Sequence, residues 1–368
     1  MTPEAREKQA ETGGRLDAEE LGLGKLVIAS GPFVHEGTTT SRIMAEVLAG
    51  AMAVVALAWF YFGVSAVLLV ASSTAGAVLT EHLFRNKKDA SSIRDGSAAL
   101  TGVLLALTLP PSLPLWMAFL GGVAAIGLGK LLWGGLGNNL FNPALLGRAF
   151  LQAAFPTAMT TWSSPSGPVS GGSAFFMPGS SLAAPFMRAD VDAVSAATPL
   201  GLFKRDGSIT ELLSLLTGNV EGSLGETSAL LLVICGIWLV ARRLCDWRLP
   251  VATLGSVYVL SLVLHLIAPG TYPPPLFMLL SGGILFAAVF MVTDPVTTPT
   301  TRKGAWIFGI GVGSLVVLIR NHGGLPEGVM YAVLLMNAFV PHIERRTQPA
   351  PFGSKPRGSP AGRRPESK

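Results

Sequence analysis

Two long stretches of the chain carry no Lys, Arg, Asp or Glu, and each is long enough for a pair of membrane-spanning helices. The first, residues 47–80, has Gly63 near its middle, and the second, residues 96–129, is divided by Pro110 and Pro111. A helix needs about 20 mainly apolar residues to cross a bilayer, and tandem prolines end a helix. The pattern therefore predicts two helices in each stretch.

The rest of the chain also alternates between apolar segments and polar connections. A short apolar segment at about 144–155 follows an Asn-Pro start, and a long polar loop runs from about 156 to 225. The later apolar segments are 227–241, two helices within 249–293 that are parted at 269–275, then 304–319 and 328–341. The hydrophobic pattern thus predicts an all-α membrane protein with about ten transmembrane helices.

The basic residues predict which helix ends face the cytoplasm, because cytoplasmic connections carry an excess of Lys and Arg. With a cytoplasmic N-terminus, the inner connections hold four basic residues at 85–94, three at 242–248, two at 302–303, and the basic C-terminal tail. The outer connections at 110–114 and 268–275 hold none, and the long loop holds three. We therefore expect both termini in the cytoplasm and the long loop on the extracytoplasmic side.

A weak internal repeat predicts that two sets of five helices are inverted relative to each other. Residues 102–110 resemble residues 283–291, and residues 142–150 resemble residues 325–333, at offsets of 181 and 183 residues. Five helices separate the equivalent segments, and an odd number gives the halves opposite orientations. In transporters built this way the functional site lies between the halves, near broken or short helices.

Composition supports the membrane assignment and limits the expected partners. The chain is 50% hydrophobic and 13% charged, with a mean hydropathy of +0.52, whereas soluble domains carry about 25% charged residues. The net charge of +5 comes from the tail, since residues 345–368 hold seven Lys and Arg against one Glu. A tail rich in Pro, Gly and Ser is typical of a disordered segment. Basic residues beside a membrane interact with anionic lipid. We expect membrane lipid, and no nucleic acid, as a partner.

These features divide the chain into three parts. They are a cytoplasmic N-terminal segment (1–41), a membrane domain (42–345) that includes the loop at about 156–225, and a disordered basic cytoplasmic tail (346–368). The first forty residues show no cleavable secretory signal, which predicts direct insertion into a bacterial inner membrane. The two cysteines form no Cys-x-x-Cys and the five histidines lack ligand spacing, so we expect no iron–sulfur cluster or metal site in this chain alone.

Several charged and polar residues lie in or near the predicted spans. Asn142 precedes the proline of the short apolar segment, where helix capping is one role. Arg148 lies one turn further on, where an acidic partner or a carbonyl cluster can pair with it. Most of the others lie at predicted helix ends, where capping or snorkelling accounts for them (Lys130, Glu226, Asp294, Arg320 and Glu327). Thr227 or Ser223 is expected to cap the sixth helix.

One segment of the long loop has no explanation in packing or membrane insertion. Residues 192–200 read Asp-Ala-Val-Ser-Ala-Ala-Thr-Pro-Leu. One interpretation is a plain turn closed by Pro199, because Ser and Thr bond their own backbone in loops. The other is an acceptor sequence at which flavin mononucleotide (FMN) is esterified through its phosphate to the hydroxyl of Thr198.

Separated motifs elsewhere occur in an order that resembles a known family. They are SGP at 30–32, GGLGNNLFNPALLGRAF at 134–150, DAVSAATPL at 192–200, GSLGETS at 222–228, TDPVTTPTTRKG at 293–304 and PEGVMYAVLLMN at 326–337. Over about residues 26–345 the chain resembles a family of covalent-FMN membrane proteins. This family contains the D subunit of Rnf ion-translocating oxidoreductases and the B subunit of the sodium-pumping NADH:quinone reductase. Only about forty residues precede the first span, which favours the Rnf branch.

The resemblance implies a subunit with covalent FMN in a complex that links ferredoxin and NAD to the movement of sodium ions or protons. By this likeness Thr198 is the attachment residue, and the subunit is not active alone. The flavin transferase that installs the cofactor would read Asp192, Ser195, Ala197 and Pro199. Other membrane and peripheral subunits of an Rnf-type complex are the implied partners.

The resemblance also adds roles for the short apolar segment, where Asn142 and Arg148 become candidate contacts of the flavin. The residues leave open whether a second, non-covalent flavin lies among the helices. Two other functions stay open on the sequence. One is a small-solute channel or secondary transporter, which a bound, non-extractable flavin would contradict. The other is a structural subunit, which predicts that Thr198→Ala leaves electron transfer intact in an assembled complex.

Overall fold

The computed structural model describes residues 39–84, 95–168, 172–173, 175–185, 197–324 and 327–349. These residues fold into helices and connections, without a β-strand among them. The α-helices of the first part are α1 (Thr40–Phe62), α2 (Val64–Phe84), α3 (Ser97–Leu107), α4 (Leu115–Gly129), α5 (Pro143–Ala154) and α6 (Pro156–Met159). Those of the second are α7 (Pro199–Asp206), α8 (Leu212–Thr217), α9 (Ala229–Ala241), α10 (Arg248–Ile267), α11 (Pro275–Leu280), α12 (Ile284–Phe286), α13 (Arg302–His322) and α14 (Val329–Thr347).

Within the described residues, five helices are long and apolar enough to cross a membrane. They are α1, α2, α4 with its 3-10 extension to Trp133, α10 and α13. Each remaining predicted apolar segment also contains helix, namely α3, α5, α9, the α11–α12 segment and α14. The prediction of an all-helical membrane protein is therefore confirmed. The helices begin and end near the residues predicted to interrupt them. Gly63 separates α1 from α2, and Pro110 and Pro111 lie between α3 and α4.

Helices α2 and α4 approach so closely that glycine is required where they touch. A Cβ atom placed on Gly122 would lie 2.2 Å from the carbonyl oxygen of Ser73, and one on Gly76 would lie 2.2 Å from that of Phe119. Small residues at such contacts let helix backbones pack directly in a membrane, where no hydrophobic force drives helices together. The α2–α4 pair is thus held by backbone packing.

We expect Gly122→Val to lower the free energy of unfolding by about 1–3 kcal/mol, because the added atoms overlap backbone that cannot rotate away. Gly127 lies on the same helix, and a Cβ atom placed there would have no other atom within 4 Å, so Gly127→Val is the matched control. Thermal unfolding of the purified protein in detergent compares them. Equal loss of stability in the two variants would contradict direct α2–α4 backbone packing.

Close backbone packing at glycine also joins α10 to α13. A Cβ atom on Gly309 would lie 2.6 Å from the Cβ of Ala252, and one on Gly313 would lie 2.6 Å from the carbonyl oxygen of Thr253. Each half of the sequence thus contains a pair of long helices, α2–α4 and α10–α13, in close contact through glycine.

The segment between α10 and α13 is broken rather than one continuous span. Helix α11 ends at Leu280, and Gly282 adopts a left-handed backbone with φ of 66°. After the single turn of α12, residues 287–291 form a π-helix in which the amide of Val292 donates to the carbonyl of Ala287 at 2.7 Å. Breaks and π turns of this kind often lie beside functional sites.

The region predicted as one long polar loop contains short helices where it is described. Helix α7 begins at Thr198-Pro199, a hydroxyl cap followed by proline in the first turn, and ends at Gly207 with φ of 69°. Both are standard helix-end signals. The ring of Phe203 lies 5.9 Å from that of Phe277 on α11. These contacts fix α7 against the second half of the helical domain.

Lys130 does not snorkel to the membrane surface, which was one of the two roles predicted for charged residues at helix ends. Its side chain is 2% exposed, and its Nζ donates to Glu81 Oε1 at 2.6 Å and to Ser97 Oγ at 2.7 Å. The reason is that α4 ends against α2 and α3, so Lys130 faces two helices instead of solvent. A buried ion pair therefore joins the ends of three helices.

Candidate functional site

Thr198 lies at the start of α7 and faces a cavity. Its Oγ1 accepts a hydrogen bond from the amide of Gly201 at 3.2 Å, so the residue caps the helix. The residue is 4% exposed, and it lines a cavity of about 390 Å³. The hydroxyl is therefore shielded from bulk solvent and reached through the cavity.

Elements distant in sequence build the wall of this cavity. Its aromatic and methionine side chains come from the α6 region, the π-helix segment and α14 (Met159, Trp162, Phe286, Met291, Met330 and Tyr331). Its volume falls within the roughly 300–1,000 Å³ of ligand pockets, which combine apolar walls with a few placed polar groups. The cavity has the size and the lining of a cofactor site.

Arg148 pairs with an acidic side chain across the cavity wall. Its guanidinium lies 2.8 Å from Glu327 Oε2, and both side chains are 12% exposed. Arg148 is on α5 and Glu327 closely precedes α14, so the pair connects the two halves of the sequence. Of the partners predicted for Arg148, the acidic side chain is confirmed, and it is Glu327.

Glu226 is the second carboxylate of the cavity. It ends the 3-10 turn Leu224–Glu226, which precedes α9. Its Oε1 is buried without a hydrogen-bond partner among the described residues. Burial, and then the carboxylate of Glu327, raise the pKa of Glu226 to about 8. The group therefore holds a proton at neutral pH, because a raised acid pKa keeps the protonated form stable to higher pH.

The prediction for the cap of α9 is wrong. Ser228, and neither Thr227 nor Ser223, accepts a hydrogen bond from the amide of Leu231. The 3-10 turn that contains Glu226 moves the start of the helix two residues beyond the predicted start at Thr227. Glu226 is free to face the cavity for this reason.

Asn142 has the capping role that was one of its two predicted roles. Its Oδ1 accepts from the amides of Ala144 and Leu145, and its side-chain nitrogen donates to the carbonyl of Met291 at 3.4 Å. Asn142 lines a second, smaller cavity of about 80 Å³, with Lys130 and Asp294. The structure thus brings Arg148 to the Thr198 cavity and places Asn142 in a different one.

The attachment motif is only partly described. Ala197 and Thr198 line the cavity and Pro199 is buried in the first turn of α7. Asp192 and Ser195 lie outside the described residues. The roles predicted for Asp192, Ser195, Ala197 and Pro199 in recognition by a flavin transferase stay predictions.

The residues around Thr198 fit a phosphate ester on its hydroxyl. Gly201 has no side chain to obstruct Oγ1, since a Cβ atom there would lie 3.3 Å from it. Amides at a helix N-terminus and a nearby guanidinium stabilise negative charge. Both are present, because Thr198 opens an eight-residue helix and Arg205 lines the same cavity.

Sequence reasoning missed two groupings that the structure shows. One is the ion pair of Lys130 with Glu81, and the other is the convergence of Glu226 and Glu327 on the Thr198 cavity. The sequence feature that could have indicated both groupings is the presence of charged residues next to uncharged spans. Such charges are rare there and indicate candidate functional positions. It did not show which charged residues meet.

Comparison with known proteins gives consistent matches to one family. The model of a family described as NQR2, RnfD, RnfE matches residues 27–353. The chain is 38% identical over 340 residues to the D subunit of the proton-translocating ferredoxin:NAD(+) oxidoreductase complex of Clostridium ljungdahlii, covering 89% of this chain and 96% of the relative. It is 41% identical over 337 residues to the D subunit of the ion-translocating oxidoreductase complex of Stutzerimonas stutzeri, covering 88% and 95%. The Escherichia coli K12 protein that shares this second name is 36% identical over 346 residues, covering 89% and 98%.

Proposed function

Because the chain belongs to the NQR2, RnfD, RnfE family, we propose that it is the D-type membrane subunit of an ion-translocating oxidoreductase complex. In this role it carries electrons through FMN attached to Thr198 and is not active alone. The complex would link ferredoxin and NAD to ion movement, as the name of the Clostridium ljungdahlii relative states for that protein.

The observation that carries the proposal is the position of Thr198. Its hydroxyl opens into a cavity of about 390 Å³ at the start of a helix, with aromatic side chains and an arginine in the wall. A plain turn explains the local backbone of Thr198-Pro199 but not the cavity in front of it. A structural subunit without a redox role would not need such a cavity.

Different residues of the cavity would hold different parts of FMN. FMN, when bound, supplies one- and two-electron chemistry. The amides of the first turn of α7 and Arg205 would hold the negative phosphoester. The aromatic walls would orient the ring system and exclude water, while the Arg148–Glu327 pair fixes α5 to the start of α14. A covalent tether maintains a high effective concentration on a side of the membrane that does not resupply free flavin.

We further propose that ten segments cross the membrane in two inverted sets of five, with both termini in the cytoplasm and the loop at about 156–225 outside. The glycine-packed pairs α2–α4 and α10–α13 support two similar halves. The absence of basic residues from the two short predicted outer connections supports the orientation. Other subunits of an Rnf-type complex, a flavin transferase and membrane lipid are the proposed partners, and a bacterial inner membrane is the proposed location.

Coexpression with a flavin transferase tests the function. We expect the denatured protein to give a yellow-green fluorescent band on a gel under ultraviolet light, and peptide mass analysis to place an FMN adduct on Thr198. Expression without the transferase is the control and is expected to give a dark band. A dark band despite an active transferase would refute covalent attachment and favour a channel or secondary transporter.

A further inference from the structure

The function proposed above leaves one buried group of the Thr198 cavity without a role. Glu226 lines the cavity, and its Oε1 is shielded from solvent and accepts no hydrogen bond from the described residues. A Cβ atom on Gly283 would lie 2.8 Å from this oxygen, so the missing side chain at that position leaves room for it. A buried carboxylate is costly when charged, which makes Glu226 sensitive to protons and to any new charge nearby.

Charged groups from three parts of the chain act on Glu226. Arg148 of α5 and Arg320 of α13 attract its ionised form, and Glu327 before α14 repels it. Arg205 of α7 lines the same cavity. Because attraction and repulsion act together, the protonation of Glu226 depends on the total charge in the cavity.

Neither Arg148 nor Arg320 is available as a dedicated counter-ion. Arg148 is paired with Glu327 at 2.8 Å. Arg320 donates to the carbonyls of Met278 at 2.6 Å and Ser281 at 3.0 Å, at the end of α11. Glu226 Oε1 therefore keeps an open acceptor among the described residues, beside Arg320 Nε and Glu327 Oε1, which are also buried without a hydrogen-bond partner there.

A path for protons from solvent is also present. Thr160 and Arg205 line the cavity and are exposed, whereas Thr198 is buried. The side of the cavity at Thr160 and Arg205 therefore offers protons a route from solvent towards Glu226 and Thr198, which line the same cavity.

We propose that Glu226 is a proton-binding site coupled to the redox centre of this cavity, so that its carboxylate binds one proton when an electron is added there. The inference rests on the proposed function, because the added electron resides on the group attached to Thr198. The electron comes from a one-electron reductant and the proton from solvent. One O–H bond forms on Glu226, no other bond of the protein changes, and the cavity gains no net charge.

Electrostatics gives the direction of this coupling. Added negative charge favours the protonated form of a nearby carboxyl and raises its pKa. Burial and Glu327 raise the pKa of Glu226 to about 8, and the negative phosphoester on Thr198 would raise this pKa further. Glu226 is therefore expected to ionise in the oxidised, flavin-loaded protein only at alkaline pH, and reduction at such a pH is expected to draw in a proton.

The experiment is a reduced-minus-oxidised infrared difference spectrum of the flavin-loaded protein at pH 9, with dithionite as reductant. We expect a positive carboxylic-acid carbonyl band that shifts in deuterium oxide and is lost in Glu226→Gln. Glu211→Gln, which removes an exposed carboxyl before α8, is the matched control and is expected to keep the band. Glu226→Asp retains a carboxyl and is expected to restore the band at a shifted frequency.

The outcomes separate this inference from the function on which it rests. Protein without gel fluorescence contradicts the flavin on Thr198. Fluorescent, folded protein that lacks the band, or keeps it in Glu226→Gln, overturns the proton site alone. Spectra repeated in sodium and potassium salts test whether a metal cation binds instead of a proton. A band that follows sodium concentration rather than pH also overturns the proton site.

Discussion

Thr198→Ala is expected to abolish covalent flavin completely, because alanine has no hydroxyl oxygen for the phosphoester. The in-gel fluorescence should fall to background, and the FMN adduct should vanish from the peptide that contains residue 198. In an assembled complex with its other subunits, electron transfer that passes through this flavin should be lost as well. An intact rate would instead support a purely structural subunit.

The loss should not arise from unfolding. Replacing a threonine cap by alanine costs about 0.5–2 kcal/mol, and Thr198 contributes one such hydrogen bond, to the amide of Gly201. Thr198→Ser keeps both the cap and an acceptor hydroxyl and is expected to retain fluorescence. Thr160→Ala removes a different hydroxyl from the wall of the same cavity and should leave the adduct in place.

The second large effect is expected at Lys130, which lies away from Thr198. Lys130→Met removes the Nζ partner of the fully buried Glu81. Breaking a buried ion pair from one side costs about 3–5 kcal/mol, because a buried charge loses a close counter-ion. We expect a large fall in the midpoint of thermal unfolding in detergent, with the flavin adduct still forming in the folded fraction.

A double variant isolates the charge effect from the loss of packing. Lys130→Met combined with Glu81→Gln removes both charges and is expected to recover much of the lost stability. Lys303→Met changes an exposed lysine at the start of α13 and should have an effect near zero. If the double variant were as unstable as Lys130→Met, packing rather than charge would hold these three helices together.

The hydrophobic pattern predicted helix positions well because lipid imposes a simple rule on the sequence. Uncharged stretches had to become helices, and Gly63, Pro110 and Pro111 marked their ends correctly. The pattern describes the order of residues along the chain but not their neighbours in space. It therefore placed Lys130 at a helix end without showing that Glu81 lies opposite.

The candidate site was predicted in part for the same reason. Thr198 was found from a local motif, and the structure adds the cavity in front of it. Glu226 and Glu327 are about one hundred residues apart in sequence, so no local spacing joins them. The π-helix at 287–291 was also not predictable, because its hydrogen bonds depend on how the apolar segment packs rather than on a breaking residue within it.

That π-helix has a consequence for how the segment tolerates insertions and deletions. Its hydrogen-bonded ring contains one residue more than an α-helical ring, and each residue turns a helix by about 100°. Phe286 lies just before the π-helix and Met291 lies within it, and both line the Thr198 cavity. Thr293 and Asp294 follow the π-helix and line the smaller cavity. Because the π turn takes up one extra residue locally, deletion of one residue from 287–291 is expected to convert it into an ordinary α-helical turn with little rotation of Thr293 and Asp294 downstream. This stretch is therefore expected to tolerate the loss of one residue better than a regular α-helix of the same domain, in which the same deletion would rotate the following side chains by about 100°.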